Sequence, residues 1–384
     1  MCTSPNDPTL LLMMLSISTF NLSCLFLSVG VFSLSINPAL SSTQTVIVNT
    51  AINPSAAIIP ITPIIKARLA AGSPVTIVFF GDSNTAGCGT SDASGAKTFP
   101  ADIAFALVTN KRQKTSTGDM RWDKDTFAGQ AVDATVCRAY QARQVTLKPG
   151  VNRNLIVRDG VGGNTSNDLT ARFDASITWL SKQSVQKIDL IVIMAGINDS
   201  IVQRGIAPTA YANNLQVLID KIKAAKNSNG QTLIKETLLV TSFSNGSMVA
   251  GLPDGQGHPF KVIKDEVACT NAIKSKALYP NTVCDLHLYN QRLAGVADKN
   301  KPNVYFLDVA GNILNGLGVH NNTADALAQK NIKRLLAGDD VYHPNDIGYQ
   351  AIADQIAEHA LSLKNNVSPP ANLGNLASGI RPTK

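Results

Sequence analysis

Short, nearly continuous apolar runs alternate along this chain with longer stretches in which apolar residues recur every three or four positions. Residues 75–80 (VTIVFF) and 189–195 (DLIVIMA) leave no polar face, the pattern of strands covered on both sides of a sheet. Residues 155–157, 237–243 and 304–309 are further strand candidates. Between them, 100–110 and 166–182 read as helices, and 208–225 puts Leu215, Leu218, Ile219 and Ile222 on one helical face. A closing helix is predicted over 346–363, with Ile352, Ile356 and Ala360 inward. Strands alternating with helices predict an α/β fold in which helices cover both faces of a parallel sheet of about five strands. In such a sheet the ligand site lies beyond the carboxyl ends of the strands.

The alternation is framed by segments of other character. From Thr9 to Ile36 there is no charged side chain, which predicts a secretory signal peptide or a membrane anchor over 1–41. Residues 1–8 lack Lys and Arg, and Ser residues and Asn21 interrupt the apolar run. Ala39-Leu40-Ser41 offers a small-residue cleavage site, and Asn21-Leu22-Ser23 before Cys24 is a weak lipoprotein box. Residues 42–67, with Pro54, Pro60 and Pro63, read as a linker, 68–364 as one large domain, and 365–384 as a loose tail. Within the domain, 113–152 reads as an irregular insert carrying Trp122, Cys137 and Tyr140.

Composition narrows the classes. With 384 residues, 44% hydrophobic and 16% charged, the chain is globular. Its net charge of +7 comes without a dense Lys/Arg run, so nucleic acid is not an expected partner. Beyond Cys2 and Cys24, the cysteines are Cys88, Cys137, Cys269 and Cys284. In an oxidising compartment the close pair Cys269 and Cys284 would close a local loop and leave Cys88 for Cys137; four unrelated buried thiols are the alternative. The expected location is secreted or extracytoplasmic, or anchored to a membrane through the N-terminal apolar segment.

Candidate chemistry stands where strands end. Gly81-Asp82-Ser83-Asn84-Thr85-Ala86-Gly87 follows the first apolar run, placing the Ser83 hydroxyl at the carboxyl edge of the sheet. Serine is a weak nucleophile without a base in reach. Asp340-Val341-Tyr342-His343 supplies one: Asp340, three residues back, can fold onto one imidazole nitrogen and leave the other to take the Ser83 proton. Asp339 is a rival at poorer spacing, and His258, His287, His320 and His359 have no comparable setting. The segment Asp159–Thr165 (DGVGGNT) follows the second strand and Gly196-Ile197-Asn198-Asp199 the third. The Gly163 N–H and the Asn198 amide can join the Ser83 N–H as donors to an oxyanion. Other motifs fail: Ser83 is not in a G-x-S-x-G elbow, the glycine loop lacks the Lys-Ser/Thr of a P-loop, and there is no H-E-x-x-H. Cys284-x-x-His287 has no companion ligands, so no metal and no cofactor are expected.

Taken together, Ser83 in Gly-Asp-Ser, Gly163, Asn198 in Gly-x-Asn-Asp, and His343 with Asp340 in D-x-x-H resemble the four blocks of the SGNH hydrolases, which include the GDSL-type lipases and esterases. The resemblance spans roughly residues 75–363. It implies a flavodoxin-like three-layer α/β/α sandwich and a metal-free acyl-enzyme mechanism. The implied catalytic residues are Ser83, Asp340 and His343, with Ser83, Gly163 and Asn198 as the oxyanion hole. The implied substrate is a glycan, lipid or other small ester, with short acyl groups such as O-acetyl favoured. Two alternatives share the same residues or fold: an acyltransferase, and a glycan-binding module without catalysis. Asn245, Asn321 and Asn366 begin Asn-x-Ser/Thr triplets that a eukaryotic host could glycosylate.

Overall fold

The computed structural model describes residues 63–91, 97–109, 127–130, 141–146, 154–182, 185–242, 261–276, 282–317, 332–337 and 342–363. Its centre is a sheet built from β1 (Thr76–Gly81), β2 (Phe127–Gln130), β3 (Gln141–Thr146), β4 (Leu155–Val161), β5 (Ile188–Ala195), β6 (Ile234–Thr241) and β9 (Val304–Leu307), in the order β2-β3-β4-β1-β5-β6-β9. Neighbours from β4 to β9 are parallel, while β2 and β3 run antiparallel at the β4 edge. The five parallel strands therefore follow the doubly wound order 2-1-3-4-5. Every residue of β5 is buried, in keeping with an apolar run that only Asp189 interrupts.

Helices cover both faces. On one, α4 (Ser166–Lys182) packs against α6 (Pro208–Ala224), and α6 against α8 (Leu286–Lys299). On the other, α3 (Phe99–Thr109) and α9 (Val309–Gly316) pack against α10 (Asp346–Gln355). Two very short helices, α2 (Ser83–Ala86) and α5 (Ile197–Ser200), directly follow β1 and β5. A separate two-stranded parallel sheet pairs β7 (Lys261–Ile263) with β8 (Thr282–Cys284), with α7 (Glu266–Lys274) between them.

Four expectations need correction. The stretch read as a linker runs into the domain: α1 (Pro63–Ala70) buries Ile65 completely, and the Glu236 carboxylate accepts from the Ile64 and Ile65 N–H groups at 3.1 and 3.2 Å. A single buried side chain and a helix N-terminus capped from a distant strand leave little trace in local pattern. The insert 113–152 is not irregular throughout, because β2 and β3 extend the sheet. The second strand continues to Val161, so Asp159 and Gly160 lie within it rather than after it. The closing helix keeps α form only to Gln355 and ends in a π-turn, Ile356–Ala360. Residues 1–62 and 364–384, and with them the signal or anchor segment and the tail, lie outside the described residues; among the described residues no helix is long and apolar enough to cross a membrane.

Candidate active site

Three loops leave adjacent parallel strands at one level. Gly81, the last residue of β1, is in register with Gly160 of β4 and Met194 of β5. Ser83, Gly163 and Asn198 follow those positions by two to four residues. The strand ends are packed too closely for larger residues. A β-carbon on Gly81 would lie 2.6 Å from the Met194 carbonyl, and one on Gly160 would lie 2.2 Å from the Ala86 nitrogen. Helix α2 thus rests directly on β4. Asp82 caps it, accepting from the Asn84 N–H at 2.9 Å, and Gly87 closes it in the left-handed conformation. Ser83 stands at the first position of this helix, where its N–H has no intrahelical acceptor.

Gly163 sits in the turn after β4 with φ of 80°, and Gly196 precedes α5 with φ of 123°, both in the region that favours glycine. The Asn198 amide donates to the Asn164 carbonyl at 2.9 Å, tying the turn after β5 to the turn after β4. An amide nitrogen carries two hydrogens, so one remains for a ligand. Asp199 accepts from the Ser166 N–H at 3.0 Å and its hydroxyl at 2.6 Å, which fixes α5 to the start of α4.

His343 comes from far along the chain, and its Nε2 lies 2.9 Å from the Ser83 Oγ. The loop that carries it is fastened to the Ser83 loop by side chains. Tyr349 donates to the Cys88 carbonyl at 2.6 Å. Asp346 accepts from the Ser91 N–H and hydroxyl at 2.8 and 2.7 Å, and from Lys97 Nζ at 2.9 Å. Gly89, at φ of 91°, leaves space for Pro344 and His343; a β-carbon there would lie 2.9 Å from the His343 β-carbon. Asn345 caps α10 by accepting from the Gly348 N–H and holds the Leu336 carbonyl through its amide. Asp340 and Asp339 lie outside the described residues, as does Cys137, while Cys88 is disulfide-bonded. His287 and His359 sit half-buried on α8 and the π-turn.

Arg172, on α4, escaped the sequence reading. Its five N–H groups reach Asn164 Oδ1 (2.7 Å), Asp159 Oδ1 (3.0 Å), Ser176 Oγ (3.2 Å), the Gly81 carbonyl (2.7 Å) and the Asp159 carbonyl (3.1 Å). The guanidinium also covers the Phe80 ring at 4.0 Å. One side chain thereby joins the end of β1, the end of β4 and the turn that holds the Asn198 amide. Two buried carboxyls flank this frame. Burial pushes Asp82 up to about 6, opposed by the Asn84 N–H and by the charges of His343, Arg172 and Arg204. Burial likewise pushes Asp199 up to about 7, against its bonds from Ser166.

A wall of the site is braced covalently. Cys269 on α7 and Cys284 on β8 form a disulfide, as their spacing suggested. Ile201, just after α5, bridges to Val283 of β8, and these two pack with Val262 and with Tyr342, the neighbour of His343. Among the described residues no group of three His, Cys, Asp or Glu side chains has the arrangement of a metal site.

Comparison with known proteins agrees with this geometry at the level of the family. A search of curated proteins by sequence finds no match. Similar solved structures include an alpha/beta hydrolase enzyme from the metagenome of Lake Arreo, Spain, at 18% identity over 77% of this chain and 99% of that one, with a TM-score of 0.43. They also include the native aryl esterase of M. smegmatis, at 14% identity over 75% and 99% of the two chains and a TM-score of 0.43. A mutant of an acetylxylan esterase from Geobacillus stearothermophilus matches at 17% identity over 76% and 95%, with a TM-score of 0.40. At these scores the resemblances add no weight to the topology read from the strands themselves. The sequence comparison is decisive: residues 79–351 match the GDSL-like lipase/acylhydrolase family, so this chain belongs to that family of ester-hydrolysing enzymes within the SGNH hydrolases.

Proposed function

We propose that the chain is an exported serine esterase that removes short acyl groups through an acyl-enzyme on Ser83, with an O-acetyl group on a glycan as the first candidate. The observation that carries this reading is the 2.9 Å approach of His343 Nε2 to Ser83 Oγ, between residues 260 apart in sequence. In the proposed mechanism Ser83 Oγ attacks the ester carbonyl while its proton passes to His343 Nε2. Asp340 orients the imidazole. The oxyanion is held by the N–H groups of Ser83 and Gly163 and by the free hydrogen of the Asn198 amide; one such donor is worth about 3–4 kcal/mol of barrier. Collapse of the intermediate breaks the C–O bond, and the His343 proton leaves with the alcohol. Water then repeats the sequence and releases the acid.

Two further features support the finer reading. On the strand-end side of the site Gly163, Asn164, Asn198 and Arg204 are small or polar groups, which suit a short acyl chain better than a long one. The Cys269–Cys284 disulfide and the uncharged run from Thr9 to Ile36 support export. Hydrolysis of p-nitrophenyl esters from acetate to palmitate, by the protein and by Ser83→Ala, tests the proposal. Activity on short esters that falls at least about a thousandfold in Ser83→Ala is expected. Undiminished activity in that variant overturns the role of Ser83, and a maximum at palmitate overturns the short-acyl assignment.

A further inference from the structure

The loop after α5 carries Arg204, whose position the esterase mechanism does not explain. This loop is held from several directions. Val202 N–H donates to the Thr282 carbonyl at 3.1 Å, and Ile206 N–H to the Asp199 carbonyl at 3.0 Å. The buried Tyr289 hydroxyl lies 3.0 Å from the Asp199 carbonyl and 2.9 Å from that of Ile206. Gly205 lets the chain turn tightly, since a β-carbon there would lie 2.5 Å from the Asp199 carbonyl. β8, which receives the Val202 bond, is pinned by the Cys269–Cys284 disulfide.

At the tip of this fixed loop the Arg204 side chain is exposed and lies over the proposed oxyanion hole. Its Nη1 is the nearest atom to the place a Gly163 β-carbon would occupy, 3.6 Å away. Among the described residues the Arg204 guanidinium makes no hydrogen bond and no ion pair, while its backbone N–H donates to the Ile201 carbonyl at 3.1 Å; its charge is felt at Asp82, the neighbour of Ser83. Arg68, Arg158, Arg172 and Arg292 behave differently, each donating to a carbonyl or carboxylate. A guanidinium offers a planar fork of donors that matches a carboxylate in two parallel bonds.

We propose that Arg204 determines specificity by binding a carboxylate carried by the substrate close to its scissile carbonyl, so that the preferred ester is anionic. This rests on the esterase reading at Ser83 and adds the charge of the substrate to it. The carboxylate can belong to the acyl group, as in a dicarboxylic half-ester, or to the alcohol, as in an acetylated uronic acid. Arg204 recognises the same chemistry in both. Had Arg204 served only to stabilise the oxyanion by its charge, charged and neutral esters would benefit alike.

The test compares matched esters with the full chain, Arg204→Gln and Arg204→Lys. One pair is the p-nitrophenyl monoester of glutaric acid against p-nitrophenyl pentanoate. The other is the acetylated methyl glycoside of glucuronic acid against that of glucose. The readout is the ratio of kcat/KM for the charged over the neutral ester, in which a general loss of activity cancels. In one pair this ratio is expected to fall about fivefold in Arg204→Gln, the upper end for an exposed ion pair, through a rise in KM for the charged ester. Arg204→Lys should keep part of the preference, and the pair that responds identifies the carboxylate's side. Ratios that match the unsubstituted protein in both pairs, with activity that still depends on Ser83, overturn the Arg204 proposal alone. Activity that survives Ser83→Ala breaks the underlying reading, whatever the ratios do.

Discussion

The two halves of the candidate site are held by different means. Ser83, Gly163 and Asn198 stand on the ends of three buried parallel strands, whose register sets their level. Glycine contacts and the five bonds of Arg172 then leave little freedom there. His343 stands on a loop from the far end of the chain, fastened by side-chain bonds from Tyr349, Asp346 and Asn345. Oxyanion donors must be preorganised, because the catalytic gain is lost if they have to move at the moment of reaction. A general base needs a correct distance and tolerates adjustment. The division between a rigid sheet half and a tethered loop half suits the roles proposed for Ser83, Gly163, Asn198 and His343.

The sharpest way to break this contrast is Arg172→Gln. It removes the ion pair that Arg172 makes with the fully buried Asp159 carboxylate and frees the turn at Asn164. A loss of about 3 kcal/mol in urea unfolding is expected, the scale on which breaking a buried ion pair destabilises. A fall of about a hundredfold in kcat with little change in KM should accompany it, as a small misplacement near the reacting atoms produces. A loss of stability with kcat intact would show that Arg172 supports only the fold. On the loop half, Tyr349→Phe removes the bond to the Cys88 carbonyl. About 1 kcal/mol of stability and a few-fold in kcat are expected to go, read by the same two measurements. An effect equal to that of Arg172→Gln would erase the distinction between the halves.

The smallest effect is in the pH dependence of stability. Burial raises Asp82 to about 6 and Asp199 to about 7, from an ordinary value of 3.8. Between 3.8 and those values the folded protein holds protons that the unfolded chain has released, so its stability from these groups falls as pH rises. Their contribution is greatest under acid conditions and is lost through about pH 6 for Asp82 and about pH 7 for Asp199. Ordinary ion-paired carboxylates act in the opposite direction and offset part of it. Urea unfolding of Asp199→Asn between pH 5 and pH 8 should therefore show stability that falls less steeply with pH than in the parent. An unchanged slope would mean that Asp199 is already ionised across this range.

The alternation of apolar runs was enough to foresee a parallel sheet between helices, because a strand buried on both faces has no other pattern. Gly-Asp-Ser after the first run and D-x-x-H near the end marked Ser83 and His343, since strand-end turns and a turn-spaced Asp–His pair are local features. Local pattern did not reveal Arg172, which sits on a helix that was foreseen but bonds to the ends of β1 and β4. That relation exists only once the strand order is known. The same holds for α1, whose cap is a carboxylate on β6, and for β2 and β3, paired at an edge within a stretch of weak periodicity. Arg204 belongs to no local motif in the sequence. Its place over Gly163 follows from a loop braced by β8, a disulfide and Tyr289. What the sequence determined by itself was what neighbouring residues impose on one another: the strands, the helices and the chemistry at their ends. Only the tertiary structure decided how those ends are held together, because that depends on contacts between residues far apart in the chain.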